Sequence, residues 1–198
     1  MSEISRDRSL DTWAQPVSVQ RQNIKSPIWR SNGRIELKTA DQFSPEQLVK
    51  AYNQTRVDYI VPMPMNVSRL LEYIDLYDID TSASWVALQK KTICGLAMLG
   101  IRKKRAWITR VGVLPDGRRQ GTGRSLIDNL INSASERGLD TIWLEVIKSN
   151  TPAEQLFLTS GFRQTRELIA ARRPPRLETE SANGEDKGFN ACHLTQLS

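Results

Sequence analysis

Apolar and polar positions change period several times along this chain, and each change marks an element. Through Arg34–Ala40, "RIELKTA", they alternate, which predicts a first strand. "SPEQLVKAYNQTR" then carries a full helix start, with Ser44 as cap, Pro45 in the first turn and Gln47 at the capping-box position. Its inward stripe is Leu48, Ala51, Tyr52 and Thr55. "DYIVPMPM" cannot be helical, because closely spaced prolines remove donors and push their predecessors into extended backbone. Asn66 caps a second helix whose inner side is Val67, Leu70, Leu71 and Ile74.

Three β-rich runs follow, "SWVALQ", "ICGLAMLGIR" and "AWITRVGV", separated by "KKT" and "KKR", and they read as antiparallel hairpins. A glycine- and arginine-rich turn leads into a helix with Leu126, Ile127, Leu130, Ile131 and Ala134 at helical spacing and Gly138 at its end. "TIWLEVI", Thr141 to Ile147, is nearly unbroken in its apolarity and predicts a central strand buried on both faces. "TPAEQLFLTSG" opens with a second capping box, Thr151 to Glu154, and closes at Gly161. "FRQTRELIAAR" and "FNACHLTQL" are further strand candidates. The fold class is therefore α+β: a central mixed sheet of six or seven strands flanked by about four helices.

Residues 1–33 show no sustained period and read as a flexible extension, which leaves 34–198 as one domain with a loop over 176–188. No run approaches the ~20 apolar residues of a membrane span, and the N-terminus lacks a signal-peptide apolar region, so a cytoplasmic location is expected. Cys94 and Cys192 have no metal-ligand spacing, and no metal is expected. The net charge of +6 suggests anionic company. The arginine clusters have no interleaved aromatics, which argues against a nucleic-acid partner.

One stretch concentrates the chemistry. In "VGVLPDGRRQGTGRSLIDNL", Val111 to Leu130, a strand passes through a turn with three arginines and three glycines into a helix. Main-chain N–H groups and the positive end of the helix dipole converge at such a junction, and glycine lets an anion approach. The P-loop pattern fails for want of Gly-Lys-Ser/Thr, and the dinucleotide fingerprint fails because Leu126 stands at its third glycine. A tight turn with solvated arginines is the alternative.

The same residues resemble the acetyl-coenzyme A motif of the GNAT acetyltransferase superfamily: V-x-V-x-P followed by R-x-x-G-x-G, matched by Val111, Val113, Pro115, Arg118, Gly121 and Gly123. Downstream, "LEVIKSNTPAEQLFLTSGF" resembles the family's fifth strand and the helix after it, matched by Asn150, Ala153, Leu156, Phe157, Gly161 and Phe162. The resemblance covers about Arg102 to Arg166 by motif and Arg34 to Gly100 by element order.

The resemblance implies an N-acetyltransferase that takes acetyl-coenzyme A as co-substrate and passes the acetyl group to a primary amine by direct attack. The main chain of Val111, Gly112 and Val113 would pair with the pantetheine arm, Gly112 leaving clearance. The amides of Arg119, Gln120, Gly121, Thr122, Gly123 and Arg124 would face the pyrophosphate, with Arg118, Arg119 and Arg124 adding mobile charge. Asn150 would bond the pantetheine amide, or is simply a helix-entry residue. Family members often carry a proton-donating tyrosine where this chain has Phe157, which cannot donate. Glu145 is the candidate base, with a salt-bridged glutamate as the alternative. The acceptor, a small-molecule or protein amine, would meet Tyr59, Met63 and Met65 as an adaptable wall and Glu72, Asp75, Asp78 or Asp80 as an attracting carboxylate; the alternative is that the methionines pack in the core and the carboxylates form a solvated helix end. An acyl-coenzyme A-binding domain with little turnover is the competing reading. The oligomeric state is open, a homodimer being one option.

Overall fold

A single strand, buried on both faces, organises the layers. The computed structural model describes residues 35–59, 63–147 and 149–167. The extension over 1–33, the loop over 176–188 and the strand candidate Phe189–Leu197 lie outside the described residues. Contacts divide the chain into two units, Met1–Thr165 and Arg166–Ser198. Every element below belongs to the first.

The order is β1 (Ile35–Thr39), α1 (Pro45–Thr55), α2 (Val67–Leu76), β2 (Trp85–Gln89), β3 (Thr92–Arg102), β4 (Arg105–Val113), α3 (Thr122–Glu136), β5 (Ile142–Leu144) and α4 (Thr151–Thr159). Short 3-10 turns cover Ala40–Gln42 and Pro115–Gly117. The five strands form one mixed sheet in chain order, antiparallel from β1 to β4 and parallel between β4 and β5. This is the expected α+β class with about four helices. The candidate over Phe162–Arg172 is not a strand in its described part, Phe162–Glu167.

Central burial falls on β3 and not on "TIWLEVI". Every residue from Cys94 to Gly100 is buried. Leu96 and Met98 join a cluster under α1 and α2 that includes Leu48, Ala51, Tyr52 and Leu70. Ala97 and Leu99 face the opposite layer, with Leu126, Ile127, Leu130 and Ala134 of α3 and Phe157 of α4. By contrast β5 pairs over only three residues, and Glu145 and Val146 beyond it are exposed. An apolar run reads alike in a central strand and in a short edge strand under a helix, so hydropathy could not separate the two.

Local chemistry accounts for the helix ends. In α1 the Ser44–Gln47 capping box forms and Leu48, Ala51, Tyr52 and Thr55 are the buried face. Asn66 accepts the Arg69 amide at 2.8 Å and starts α2, but Leu71 is 51% exposed, so the buried stripe there is narrower than expected. At the end of α3, Leu139 N–H reaches Ala134 O and Gly138 N–H reaches Ser135 O, a closure that Gly138 permits with φ 69. The expected Thr151 box in α4 is replaced by Asn150, whose side chain accepts the Ala153 amide at 3.4 Å. Asp80 accepts from Ser82 and Ala83 and pairs with Arg137 at 3.1 Å, tying the loop before β2 to the end of α3.

Asn66→Ala removes the one side chain that caps α2. Chemical denaturation should show a loss of about 1 kcal/mol with an unchanged m-value.

Candidate active site

The site is built on a parting of strands. β4 and β5 pair from Ala106/Ile142 to Ile108/Leu144 and no further, while β4 runs on to Val113. The cause lies in β4. Leu96 stands opposite Gly112 and Met98 opposite Thr109, so β4 carries one extra residue across from β3. That bulge places Arg110 in the left-handed region, φ 53, and bends the strand. Between Thr109 and Val113 the edge of β4 that faced β5 is open.

At the far end of this gap stands the glycine-rich turn. Gly121 caps α3 with φ 84 and no side-chain cap, and a Cβ built there meets nothing within 4 Å. The amides of Arg119, Gln120, Gly121, Thr122, Gly123 and Arg124 have no acceptor among the described residues. They lie at the positive end of a 15-residue helix, an arrangement suited to an anion. The Thr122 hydroxyl is spent inside the turn, donating to Gly117 O at 3.1 Å. Gln120 donates to Asp116 O at 2.6 Å.

The arginines divide differently from the sequence expectation. Arg118 donates to both oxygens of Asp58, at 2.5 and 2.7 Å, and its Nε donates to Val113 O at 3.0 Å. Its hydrogen bond holds the Asp58 carboxyl below the usual range. Arg124 turns to Asp128 at 2.9 Å and to Thr159 O, pinning α3 to α4. Arg119 alone of the three is exposed with no side-chain partner among the described residues.

Gly112 also has a different reason. A Cβ there would lie 2.3 Å from Thr55 Oγ1 and 2.7 Å from Thr55 Cβ, so the glycine admits the end of α1 against β4. Here hydropathy carried no signal, because the close approach is tertiary.

Sequence reasoning missed the cluster beside the bulge. Arg56 Nη2 donates to Val111 O at 2.9 Å, and its guanidinium lies 4.0 Å from the Tyr59 ring centroid. Arg110 lies 4.1 Å from the Tyr73 centroid and donates to the Tyr52 hydroxyl at 2.9 Å. Tyr73 shares a 2.6 Å hydrogen bond with the Thr109 hydroxyl, and burial pushes its own ionisation up. Arg110 in a strand otherwise apolar was the available signal.

The remaining candidates scatter more. Met63 is 39% exposed, 3.9 Å from Arg110 Nη1. Tyr59 sits under Arg56, and Glu72 is exposed on α2. Glu145 follows β5 at the position that would face Thr109 if pairing continued, and strand alternation turns it toward the α1–α2 side. Phe157 is 7% exposed and packs edge-on against Phe162 at 5.9 Å, deep in the α3–α4 layer.

A sheet split between two parallel strands, with a bare helix N-terminus at the split, defines a protein that takes a long ligand with an anionic end. Comparison with known proteins gives that class a family. The sequence model of the Acetyltransferase (GNAT) family matches residues 50–162, and the chain belongs to this family. Members of the family draw their acyl group from acetyl-coenzyme A. The [Ribosomal protein bS18]-alanine N-acetyltransferase of Escherichia coli (strain K12) is 36% identical over 76 residues, 38% of this chain and 51% of that protein. Its counterpart in Salmonella typhimurium is 41% identical over 59 residues, 30% and 40% of the two chains. The chain thus spans about half the length of the curated relatives it matches. Among solved structures, the Escherichia coli ribosomal-protein-S18-alanine N-acetyltransferase shares the fold with a TM-score of 0.56 at 22% identity, covering 67% of this chain and 80% of that one. The Salmonella typhimurium putative acetyltransferase yncA, solved with its cofactor acetyl-CoA, does so with a TM-score of 0.55 at 20% identity, covering 67% and 81%. No helix among the described residues is long and apolar enough to cross a membrane.

Two outcomes follow from the geometry. Gly112→Ala should lower stability by about 1–3 kcal/mol in denaturation, and Thr55→Gly should recover part of that loss, a non-additivity expected of touching groups. The Asp58 carboxyl should titrate below its ordinary value of 3.8 when followed by NMR. A lowered carboxylate contributes at neutral pH and loses that contribution as pH falls through its folded value, so the Arg118 clasp should open only in acid.

Proposed function

We propose that the chain is an N-acetyltransferase, moving the acetyl group of acetyl-coenzyme A to a primary amine by direct attack while both are bound. The observation that carries the reading is the row of amides from Arg119 to Arg124, unpaired among the described residues, at the mouth of the β4–β5 gap. Coenzyme A, when bound, supplies an activated acyl thioester.

The chain's own groups do the rest. The amides of Arg119, Gln120, Gly121, Thr122, Gly123 and Arg124 receive the pyrophosphate, each charge-assisted bond contributing about 1.5–3 kcal/mol. The open edge at Val111, Gly112 and Val113 takes the pantetheine arm as an added strand. The carbonyls of Val111 and Val113 already accept from Arg56 and Arg118, and each keeps a second lone pair. Asn150, with its Oδ1 engaged in capping, keeps its side-chain N–H groups to offer the arm. Glu145 takes the proton from the incoming ammonium. Phe157 belongs to the core, so return of a proton to the leaving thiolate falls to water or to a hydroxyl, and Tyr73 is the protonated hydroxyl beside the bulge. Relatives that modify a protein α-amine favour a protein or peptide amine as acceptor, with Tyr59, Met63 and Glu72 on the rim.

The packing of Phe157 supports one other reading, an acyl-coenzyme A-binding domain with little turnover. Thiol release in the presence of an amine panel separates the two. For the cradle itself, Gly121→Asp keeps a residue that tolerates positive φ and adds a charge, whereas Gly121→Asn is its neutral isostere. Isothermal titration with acetyl-coenzyme A should show the Asp variant weakened about 10-fold or more and the Asn variant much less. Equal affinity across the three proteins would sink the cradle.

A further inference from the structure

Charge on six of the described arginines is handled in two ways. Arg102, Arg118, Arg124 and Arg137 are each neutralised by an aspartate, respectively Asp78, Asp58, Asp128 and Asp80. Arg56 and Arg110 take part in none of the ion pairs among the described residues, although both are half-buried. A guanidinium withdrawn from water without a counter-charge is costly, so the arrangement needs a reason.

The two are held as a pair. Tyr52, 1% exposed, lies between them, 5.3 Å from Arg56 and 5.4 Å from Arg110. Tyr59 and Tyr73 flank the outer sides. Stacking on the rings fixes the plane of each guanidinium. The Nε atoms of both are buried without a partner. Of the terminal nitrogens, Arg110 Nη2 and Arg56 Nη1 have no acceptor among the described residues. Cations fixed on aromatic platforms, with donors left over and no ion-pair partner among the described residues, make a receptor for a planar anion.

Position decides which anion. Arg110 is the bulge residue itself, and Arg56 bonds the carbonyl next to it. Along β4 both precede Val113, the strand end from which the chain passes to the amide cradle. They therefore stand toward the end of the gap remote from the cradle, where acyl group and amine meet. Of the carboxylates expected to attract a cationic acceptor, Asp78 and Asp80 are committed to Arg102 and Arg137, while Glu72 and Asp75 are exposed on α2.

We propose that Arg56 and Arg110 form a carboxylate receptor, and that the acceptor amine belongs to a molecule that also carries a carboxylate. The second half rests on the acetyltransferase reading above; the first does not. Two sources share this chemistry, a free amino acid and a peptide with an acidic side chain near its N-terminus.

Matched pairs test it. γ-Aminobutyrate against γ-aminobutyramide represents the small acceptors, and Ala-Glu-amide against Ala-Gln-amide the peptides. The acid member of at least one pair should have a kcat/KM about 10-fold or more above its amide, and that ratio should collapse toward unity in Arg110→Gln, with the KM for acetyl-coenzyme A unchanged. Whichever pair shows the ratio identifies the source. Arg110→Lys should recover only part of the ratio, because it keeps the charge and loses the fork. A ratio near unity in the wild-type protein, or one that survives Arg110→Gln, overturns the proposal.

Should no amine be acetylated, the acetyltransferase reading fails, and a binding measurement decides the receptor alone. Saturation-transfer NMR with glutarate and glutaramide should then show contact to glutarate only, lost in the Arg56→Gln, Arg110→Gln double variant if its thermal melt remains cooperative. Equal signals from the two probes, or none from glutarate, overturn it. If the double variant does not fold, each single substitution is read in the same way.

Discussion

The extra residue that β4 carries opposite β3 is the constraint on which the rest depends. Across the extra residue β4 stays paired with β3, while its pairing with β5 ends just before it, at Ile108/Leu144. The bulge residue adopts φ 53, a conformation that costs a non-glycine residue about 1–2 kcal/mol. Tyr52 and Tyr73 hold that residue in place from the α1–α2 side. Opening an edge in mid-sheet and aiming a side chain at the opening are thus one event in the backbone, not two.

Electrostatics divide along the same line. On the cradle side, cationic side chains are largely occupied, Arg118 by Asp58 and Arg124 by Asp128, and what is on offer is main-chain N–H. On the bulge side the main chain is committed, Val111 O to Arg56, and what is on offer is side-chain N–H. Peptide amides at a helix start are fixed in direction and suit a ligand of constant shape. Guanidinium groups on tyrosine rings are fixed in plane but free at the edge, and suit a ligand chosen by charge.

Much of this was legible in the chain. Caps and turns were read correctly at Ser44, Asn66 and Gly138, because the partners lie within a few residues, and missed by one residue in α4, where Asn150 caps in place of Thr151. The motif likewise located the bare start of α3, because glycine and helix start are consecutive. What failed depended on distant partners. The apolar run at Ile142–Leu144 did not reveal that its strand would be short and peripheral, nor did the spacing around Arg118 and Arg124 reveal aspartates 60 and 4 residues away. Gly112 has a packing reason as well, the close approach of Thr55, that no local pattern carries. Arg56 and Arg110 lie on separate elements and came together only through Tyr52.

The end of α1 fastens to β4 and the turn beyond it at consecutive steps: Thr55 against Gly112, Arg56 on Val111, Asp58 on Arg118. Four residues of backbone, Thr55 to Asp58, therefore border both halves of the gap. Any coupling between occupants of the two halves would run through this ladder, and linkage would make it equal in both directions.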